Sequence, residues 1–358
     1  MDSLLPYVMT EFLGQALWVW LLFLAFVGAL LAFDLGVAHR DAATISVRQS
    51  LRFSAFYIAM GLGYAVVIWF LYGGSDSHAS PDPQLSALQG ADRAWMAVQL
   101  YLTGFAIEKT LALDNIFVIA LVFSALSIPA VYQHRVLFWG ILGVIVLRAL
   151  LIGVGAVLVS KFSWLLYVFG LVLIATAILM LRKGDAPFDA SQSSLMQWLR
   201  SHLRISEKLD GGRFLTWLPD PATGTLKLFA MPLLLALLFI ELVDLVFAID
   251  SVPAIFAITS DPYIIYTSNI FAILGLRALF FALAAVSHRF QYLKYALALT
   301  LAFIGSKIFL GDFLFESGKF PAAWSLAITM GLIGSGILYS IWKTRAAPSR
   351  PASEVNQK

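Results

Sequence analysis

The chain has no cysteine among its 358 residues. That excludes disulfides, thiolate metal sites and thiol redox chemistry, and it says nothing about compartment. Charge is also scarce, with 13% of residues Asp, Glu, Lys or Arg, against about 25% in soluble domains. Histidine is confined to His39, His78, His134, His202 and His288, all in loops or at the ends of apolar runs. An imidazole-rich or soft site for Cu⁺ or Zn²⁺ is therefore disfavoured, the more so because the eight methionines are scattered. No GxxxxGK[ST] segment is present, so P-loop ATP-driven pumping has no support. No catalytic triad or metal-hydrolase spacing is visible, and no enzymatic activity is expected. The start of the chain carries no basic leader with a cleavage site, so its first apolar run is expected to remain as a helix.

What the chain has instead is apolar length. Hydrophobic residues make up 60% and the mean hydropathy is +0.86. Apolar runs of bilayer-crossing length recur, which defines an all-α polytopic membrane protein. Nine transmembrane helices are expected, at about 14–34, 53–72, 97–124, 136–156, 162–181, 230–257, 264–287, 293–311 and 322–342. The net charge of +3 and pI of 9.0 follow from Lys and Arg collected in alternate loops and do not call for nucleic acid. The loops after spans one, three, five and seven (Lys294, at the edge of span eight, taken with the last of these), with the C-terminal tail, hold 17 of the 24 Lys and Arg; the N-terminus and the other loops hold three, and four lie within spans. This asymmetry predicts a cytoplasmic C-terminus and an outside N-terminus.

The organisation expected is a two-helix unit over 1–96, a three-helix unit over 97–181, a cytoplasmic loop over 182–229, a second three-helix unit over 230–311, a last helix within 312–345 and a disordered tail, 346–358. In the long loop, Leu195, Met196, Trp198, Leu199 and Leu203 predict an amphipathic helix lying on the membrane surface. The runs FLTWL and TLKLF, flanking PDPATG, predict a β-hairpin. The two three-helix units resemble each other. Glu108-x5-Asp114-Asn115 matches Asp244-x5-Asp250-Ser251, LRAL occurs at 147–150 and 276–279, and the aromatic run from Lys161 to Tyr167 matches that from Arg289 to Tyr295. Consecutive units with an odd number of spans insert in opposite orientations. That is an inverted repeat, which in secondary transporters places the binding site at the repeat interface near the midplane.

The stretch 232–257 carries Glu241, Asp244 and Asp250 inside an apolar run. Each charged acid at the centre of a membrane helix costs about 2.5–3.5 kcal/mol. Such residues turn inward, and an ion or proton pathway is the default reading. Glu241 and Asp244 share a helical face. Asp250 points away from it on an ideal helix, and Pro253 predicts a break that would bring both carboxylates to one cavity. In the other unit Glu108, Asp114 and Asn115 form the counterpart, with no proline nearby. Carboxylate, amide, hydroxyl and carbonyl oxygens suit a hard cation such as Mn²⁺, Mg²⁺ or Ca²⁺. The other reading is a set of buried ion pairs, since Lys109, Arg148, Arg277 and Lys307 also lie within spans; Arg148 would pair with Asp114 and Arg277 with Asp250. Lys307 is read either as an internal counter-cation or as a residue snorkelling to the interface. Asp34 is read as a solvated helix-end residue or as an entry site.

The segments IEKTLALDNIFV, YQHRVLFWGILGVIVLRAL, ELVDLVFAIDSVPAIFAITSDP, TSNIFAILGLRAL and FQYLKYALALTLAFIGSKIFL resemble the TerC family, and within it the Alx-type membrane proteins of bacteria. The likeness runs from about Asp34 to Asp312, with Ser306 standing where the family often has an apolar residue. The resemblance implies the bacterial inner membrane, a link to tellurite resistance and alkaline response, manganese export, and kinship with LysE-like cation exporters. It also implies that Glu108, Asp114 and Asn115, with Glu241, Asp244, Asp250 and Ser251, are the site residues. No cofactor is expected. The expected partners are the transported divalent cation, protons and the lipid bilayer. The expected function is export of Mn²⁺, or another hard divalent cation, in exchange for protons. A membrane scaffold that assists metalation or insertion of other proteins, and a Ca²⁺ or Mg²⁺ transporter, stand as alternatives.

Overall fold

In lipid every backbone N–H and C=O has to be satisfied within its own segment, so long apolar runs become helices. The structure, a computed structural model, describes residues 10–36, 47–74, 80–182, 194–206, 209–219, 225–276, 279–280, 293–314 and 320–345. A two-residue-stranded hairpin, β1 (Glu11–Phe12) and β2 (Gln15–Ala16), precedes α1 (Leu17–Gly36) and α2 (Val47–Gly73). The short α3 (Pro83–Ser86) leads to the long α4 (Gly90–Ala125), followed by α5 (Ala130–Lys161), α6 (Leu165–Arg182) and α7 (Ser194–His202). Strands β3 (Leu215–Pro219) and β4 (Leu226–Ala230) then precede α8 (Pro232–Phe256), α9 (Pro262–Leu274), α10 (Leu293–Leu314) and α11 (Ala322–Arg345). Among the described residues, five helices are long and apolar enough to cross a bilayer. Large apolar side chains such as Leu22, Phe70, Val146 and Leu338 are exposed on the outside of the bundle, which is the surface lipid would cover.

Helix α4 is the central post: it packs against α2, α8, α9 and α11, while α5 packs on α8 and α9, and α6 lies along α10. The α6–α10 contact is close because glycines meet there. A Cβ on Gly170 would stand 3.0 Å from the carbonyl oxygen of Gly305, the small-residue packing expected where lipid supplies no hydrophobic drive. Aromatic side chains fill the main core, with Trp20, Phe23 and Tyr64 meeting Tyr263 and Phe271. The β3–β4 hairpin pairs Leu215 with Ala230 and Pro219 with Leu226, as FLTWL and TLKLF predict. Helix α7 also forms as expected, but not flat on a membrane. Met196 and Leu199 are buried in one core cluster with Leu233, Phe239 and Val136, so its apolar face meets the bundle while Trp198 stays exposed.

At the end of the bundle opposite this hairpin, two related tetrapeptides clasp each other. Ser80-Pro81-Asp82-Pro83 caps α3, and Thr259-Ser260-Asp261-Pro262 caps α9. Each Asp is the N-cap and each following Pro occupies the first turn, where its missing N–H costs nothing. Asp82 accepts from the Gln84 N–H at 2.8 Å, and Asp261 accepts from the Tyr263 and Ile264 N–H groups at 3.0 and 3.1 Å. The hydroxyls cross over. Ser80 donates to Asp261 at 2.6 Å and Thr259 donates to Asp82 at 2.5 Å. Tyr72 adds a bond to Asp261 at 2.8 Å, and the Ser260 N–H adds one to Asp82 at 2.8 Å. Both aspartates are fully buried.

The expected break at Pro253 needs correction. Helix α8 does not break before Pro253; it runs unbroken to Phe256 with Pro253 inside its last turn. There the ring removes the bond to the Ile249 carbonyl and crowds that carbonyl, and the helix bears it without breaking, continuing only to Phe256. Helix α4 is likewise continuous over its 36 residues. The interruption falls on span seven instead. Helix α9 is described over Pro262–Leu274, 13 residues and about 20 Å, with one turn residue, Gly275, before Leu276 is helical again. The bond from the Leu279 N–H to the Gly275 carbonyl, 3.0 Å, marks helical geometry resuming.

Candidate functional site

The polar side chains of the bundle interior come from the middles of four helices. Glu108 lies 18 residues into α4, Arg148 lies 18 into α5, and Asp244 lies 12 into α8. At about 1.5 Å per residue each is some 18–27 Å from its helix start. Burying such groups in an apolar bundle is costly unless they are paired, and the pairing is specific. Arg148, 2% exposed, places Nη1 2.9 Å from Glu108 Oε1 and Nη2 3.5 Å from Asp244 Oδ1. The same Nη1 donates to Ser251 Oγ at 2.7 Å and to Asn269 Oδ1 at 3.0 Å. Asn115 Nδ2 donates to Asp244 Oδ1 at 3.1 Å. One guanidinium thus gathers groups from α4, α8 and α9 onto α5.

The cluster is not fully satisfied. Glu108 Oε2 and Arg148 Nε are buried with no hydrogen-bond partner among the described residues. Glu241 is one turn before Asp244, yet it stands apart. Its two carboxylate oxygens are buried with no hydrogen-bond partner among the described residues and lie against Gly140 and Gly143 of α5, where a Cβ at Gly143 would collide with the carboxylate. A cavity of about 30 Å³ opens beside Asn115 and Asp244 on the hairpin side, walled by Ile119, Leu137, Val144 and Phe280. That is room for one water or a small ion.

Lys109, next to Glu108, points elsewhere. Its Nζ donates at 2.9 Å to the carbonyl of Ala272, in the last turn of α9. A Cβ on Gly275 would sit 2.9 Å from that Nζ and 3.0 Å from Tyr57 Cβ, so a larger residue there would have to displace the lysine tip and crowd Tyr57. The ammonium satisfies a helix-end carbonyl and faces the negative end of the helix dipole.

The structure therefore brings together Glu108, Asn115, Arg148, Asp244 and Ser251 of the residues expected at the site. Glu241 lies in its own glycine groove. Lys307 sits toward the opposite end of the bundle, bonded to Ser325 Oγ at 3.1 Å. Asp114 and Asp250 lie on the backbones of α4 and α8, but their side chains, like that of Asp34 on α1 and the whole of Arg277, fall outside the described residues. Sequence reasoning did not give Asn269, Asp82 or Asp261 a role. Asn269 had a signal, an amide in an otherwise apolar run. The two aspartates had a stronger one, the paired Ser/Thr-x-Asp-Pro segments. Among the described residues no group of three or more His, Cys, Asp and Glu side chains converges.

A lipid-facing apolar exterior around a buried charged centre defines a polytopic all-α integral membrane protein. The chain belongs to the TerC family of integral membrane proteins, whose family model matches residues 93–348. It is 44% identical over 322 residues to an uncharacterized membrane protein of Rickettsia bellii, covering 90% of this chain and 96% of the relative. It is 41% identical over 334 residues to an uncharacterized membrane protein of Myxococcus xanthus, with 93% and 95% covered. A third relative, Alx of Escherichia coli K12, is described provisionally as a membrane-bound redox modulator; it is 39% identical over 325 residues, with 90% and 94% covered. No solved structure matches the chain.

Proposed function

We propose that this protein is a secondary exporter of hard divalent cations, Mn²⁺ foremost, working in exchange for protons across the bacterial inner membrane. The reading rests on the buried Glu108–Arg148–Asp244 cluster with its ring of Asn115, Ser251 and Asn269. In the present conformation the guanidinium fills the position between the acids. A divalent cation arriving through the small cavity at Asp244 would compete with Arg148 for the same oxygens, and Asp114 and Asp250 would supply further carboxylates. Oxygen ligands from carboxylate, amide and hydroxyl groups select Mn²⁺, Mg²⁺ or Ca²⁺ over softer metals. Export of a divalent ion against a negative-inside potential costs about 4.6 kcal/mol at 100 mV, and inward movement of two protons offsets it. The packing of α4 on α8, of α5 on α9 and of α6 on α10 is what exchange of two inverted three-helix units would produce. With Lys and Arg concentrated in alternate loops, the hairpin end faces the cytoplasm. The redox description of the Escherichia coli relative fits this chain only through an indirect route, because it has no cysteine.

The test is flux of radiolabelled manganese into proteoliposomes, with Ca²⁺ and Mg²⁺ as competitors and pH varied on each side. Glu108→Gln, Asp114→Asn, Asp244→Asn and Asp250→Asn are each expected to lose tenfold or more of the flux, on the order of 1.4 kcal/mol or more of lost ion interaction. Wild-type flux in all four would rule out the carboxylate site.

A further inference from the structure

The polarity of the β3–β4 hairpin is the reverse of what water would select. Leu215, Trp217, Leu226 and Leu228 are all exposed, and the register sets Trp217 opposite Leu228 and Pro219 opposite Leu226. Side chains two apart on a strand share a face. These residues therefore form one continuous apolar surface, with Trp217 64% and Leu226 66% exposed. The other face carries Thr216, Leu218, Lys227 and Phe229 and is half-buried. Thr216 donates to Asp210 there at 2.9 Å. At the base of that face Phe214 packs on the core cluster that holds Val136, Met196 and Leu233, and the Arg135 guanidinium lies 5.4 Å from its ring centroid. An antiparallel pair with one face in water places its polar residues on that face. Here a lysine and a threonine turn toward the bundle, and four large apolar side chains turn away from it. A lone two-stranded hairpin is marginal in water even without such a face.

The attachment of the hairpin indicates what covers the outer face. Strand β4 passes into α8, a helix long and apolar enough to cross a bilayer, through Met231 alone. The junction is fixed by bonds from the Met231 N–H to the Phe214 carbonyl at 2.9 Å and from the Ala230 N–H to the Arg204 carbonyl at 2.8 Å. The strands thus start where α8 enters the apolar layer, and five residues of strand reach at most about 17 Å from that point. Tryptophan concentrates at this depth. We propose that the outer face of β3–β4 lies in the bilayer interface, with Leu215, Trp217, Leu226 and Leu228 seated among the headgroups and upper acyl chains of the adjoining leaflet. The hairpin then lies along the membrane and holds the start of α8 at a fixed depth. Amphipathic elements of this kind bury their apolar side about 5–10 Å deep. Helix α7, the element whose composition suggested this role, turns its apolar residues into the bundle instead. The inference is independent of the transport reading and of which side of the membrane the hairpin occupies.

The absence of cysteine allows a probe to be placed at one position at a time. Leu215→Cys, Leu226→Cys and Leu228→Cys report on the outer face, and Lys227→Cys reports on the other face between two of them. Each is labelled with an environment-sensitive fluorophore in the full chain and reconstituted at one copy per nanodisc of phosphatidylcholine and phosphatidylglycerol. Emission is quenched from the lipid by doxyl-labelled phospholipid and from water by iodide. The outer-face labels should emit to the blue of the free dye–thiol adduct. The doxyl lipid should quench them several-fold more strongly than the label at Lys227→Cys, and iodide should quench them several-fold less than the free adduct. Three outer-face positions keep the test open if one variant fails to fold. Iodide quenching of the outer face as strong as that of the free adduct would place it in water. Protection from both quenchers would place it against protein, and equal doxyl quenching on the two faces would show no preferred side. Each of these three results would overturn the proposal.

Discussion

Two groups of buried acids occupy this bundle, and they are built differently. In the clasp, Asp82 and Asp261 accept from backbone N–H groups at helix starts and from hydroxyls that cross between the two segments. In the central cluster, Glu108 and Asp244 share one guanidinium, Asp244 also accepting from Asn115, and Glu108 Oε2, Arg148 Nε and both oxygens of Glu241 have no hydrogen-bond partner among the described residues. Buried polar groups are normally satisfied, and exceptions call for a reason. The clasp has the pattern of a structural element whose bonds are made once, at folding. The cluster is incompletely bonded, which is what the proposed exchange of partners at a transport site requires. A buried acid in a membrane protein is thus informative less by its presence than by whether its lone pairs are filled.

The contrast can be broken by mutation. The largest effect is expected for Arg148→Met, which strands two acids and should cost about 3–5 kcal/mol, read as a fall in melting temperature with flux lost. Asp261→Ala should come next. It removes a cap and leaves the Tyr72 and Ser80 hydroxyls without their acceptor, costing about 2–4 kcal/mol. Flux per folded molecule should stay at the wild-type level; loss of flux without loss of stability would merge the two groups into one. Asp244→Asn keeps the shape and leaves Arg148 still paired to Glu108; it is expected to cost about 1–3 kcal/mol while lowering flux, measured on the same preparation. The smallest effect is expected for Glu241→Gln. Replacing an acid whose oxygens have no hydrogen-bond partner among the described residues should leave melting unchanged or raise it, by up to about 1 kcal/mol; a marked loss would show that Glu241 has a partner in the resting state.

The helical class, the hairpin and α7 were legible in the sequence because each is written in local pattern. FLTWL and TLKLF alternate about a turn, and the long apolar runs admit no other backbone. The pairing at the centre was legible only in part. Glu108, Asp244 and Arg148 stood out as charges in apolar runs, but which carboxylate meets which cation depends on helix rotation and depth, and those are set by packing across α4, α5 and α8. The misplaced helix break has the same origin. Pro253 looked like the stronger breaker, yet a proline in a last turn removes little. Gly275 looked innocuous, yet Lys109 from a neighbouring helix takes up the carbonyl at the break. The Ser/Thr-x-Asp-Pro pair was fully legible and was passed over because each half reads as an ordinary helix cap.

The neighbouring positions of Glu108 and Lys109 carry a mechanical consequence. Adjacent residues on a helix point about 100° apart, so one turn of α4 grips α5 through Arg148 and α9 through the Ala272 carbonyl. A twist or slide of α4 that releases one grip strains the other. Two bonds that must be given up together make intermediate positions of that helix unfavourable. The post at the centre of the bundle is therefore pinned to two neighbours at a single level.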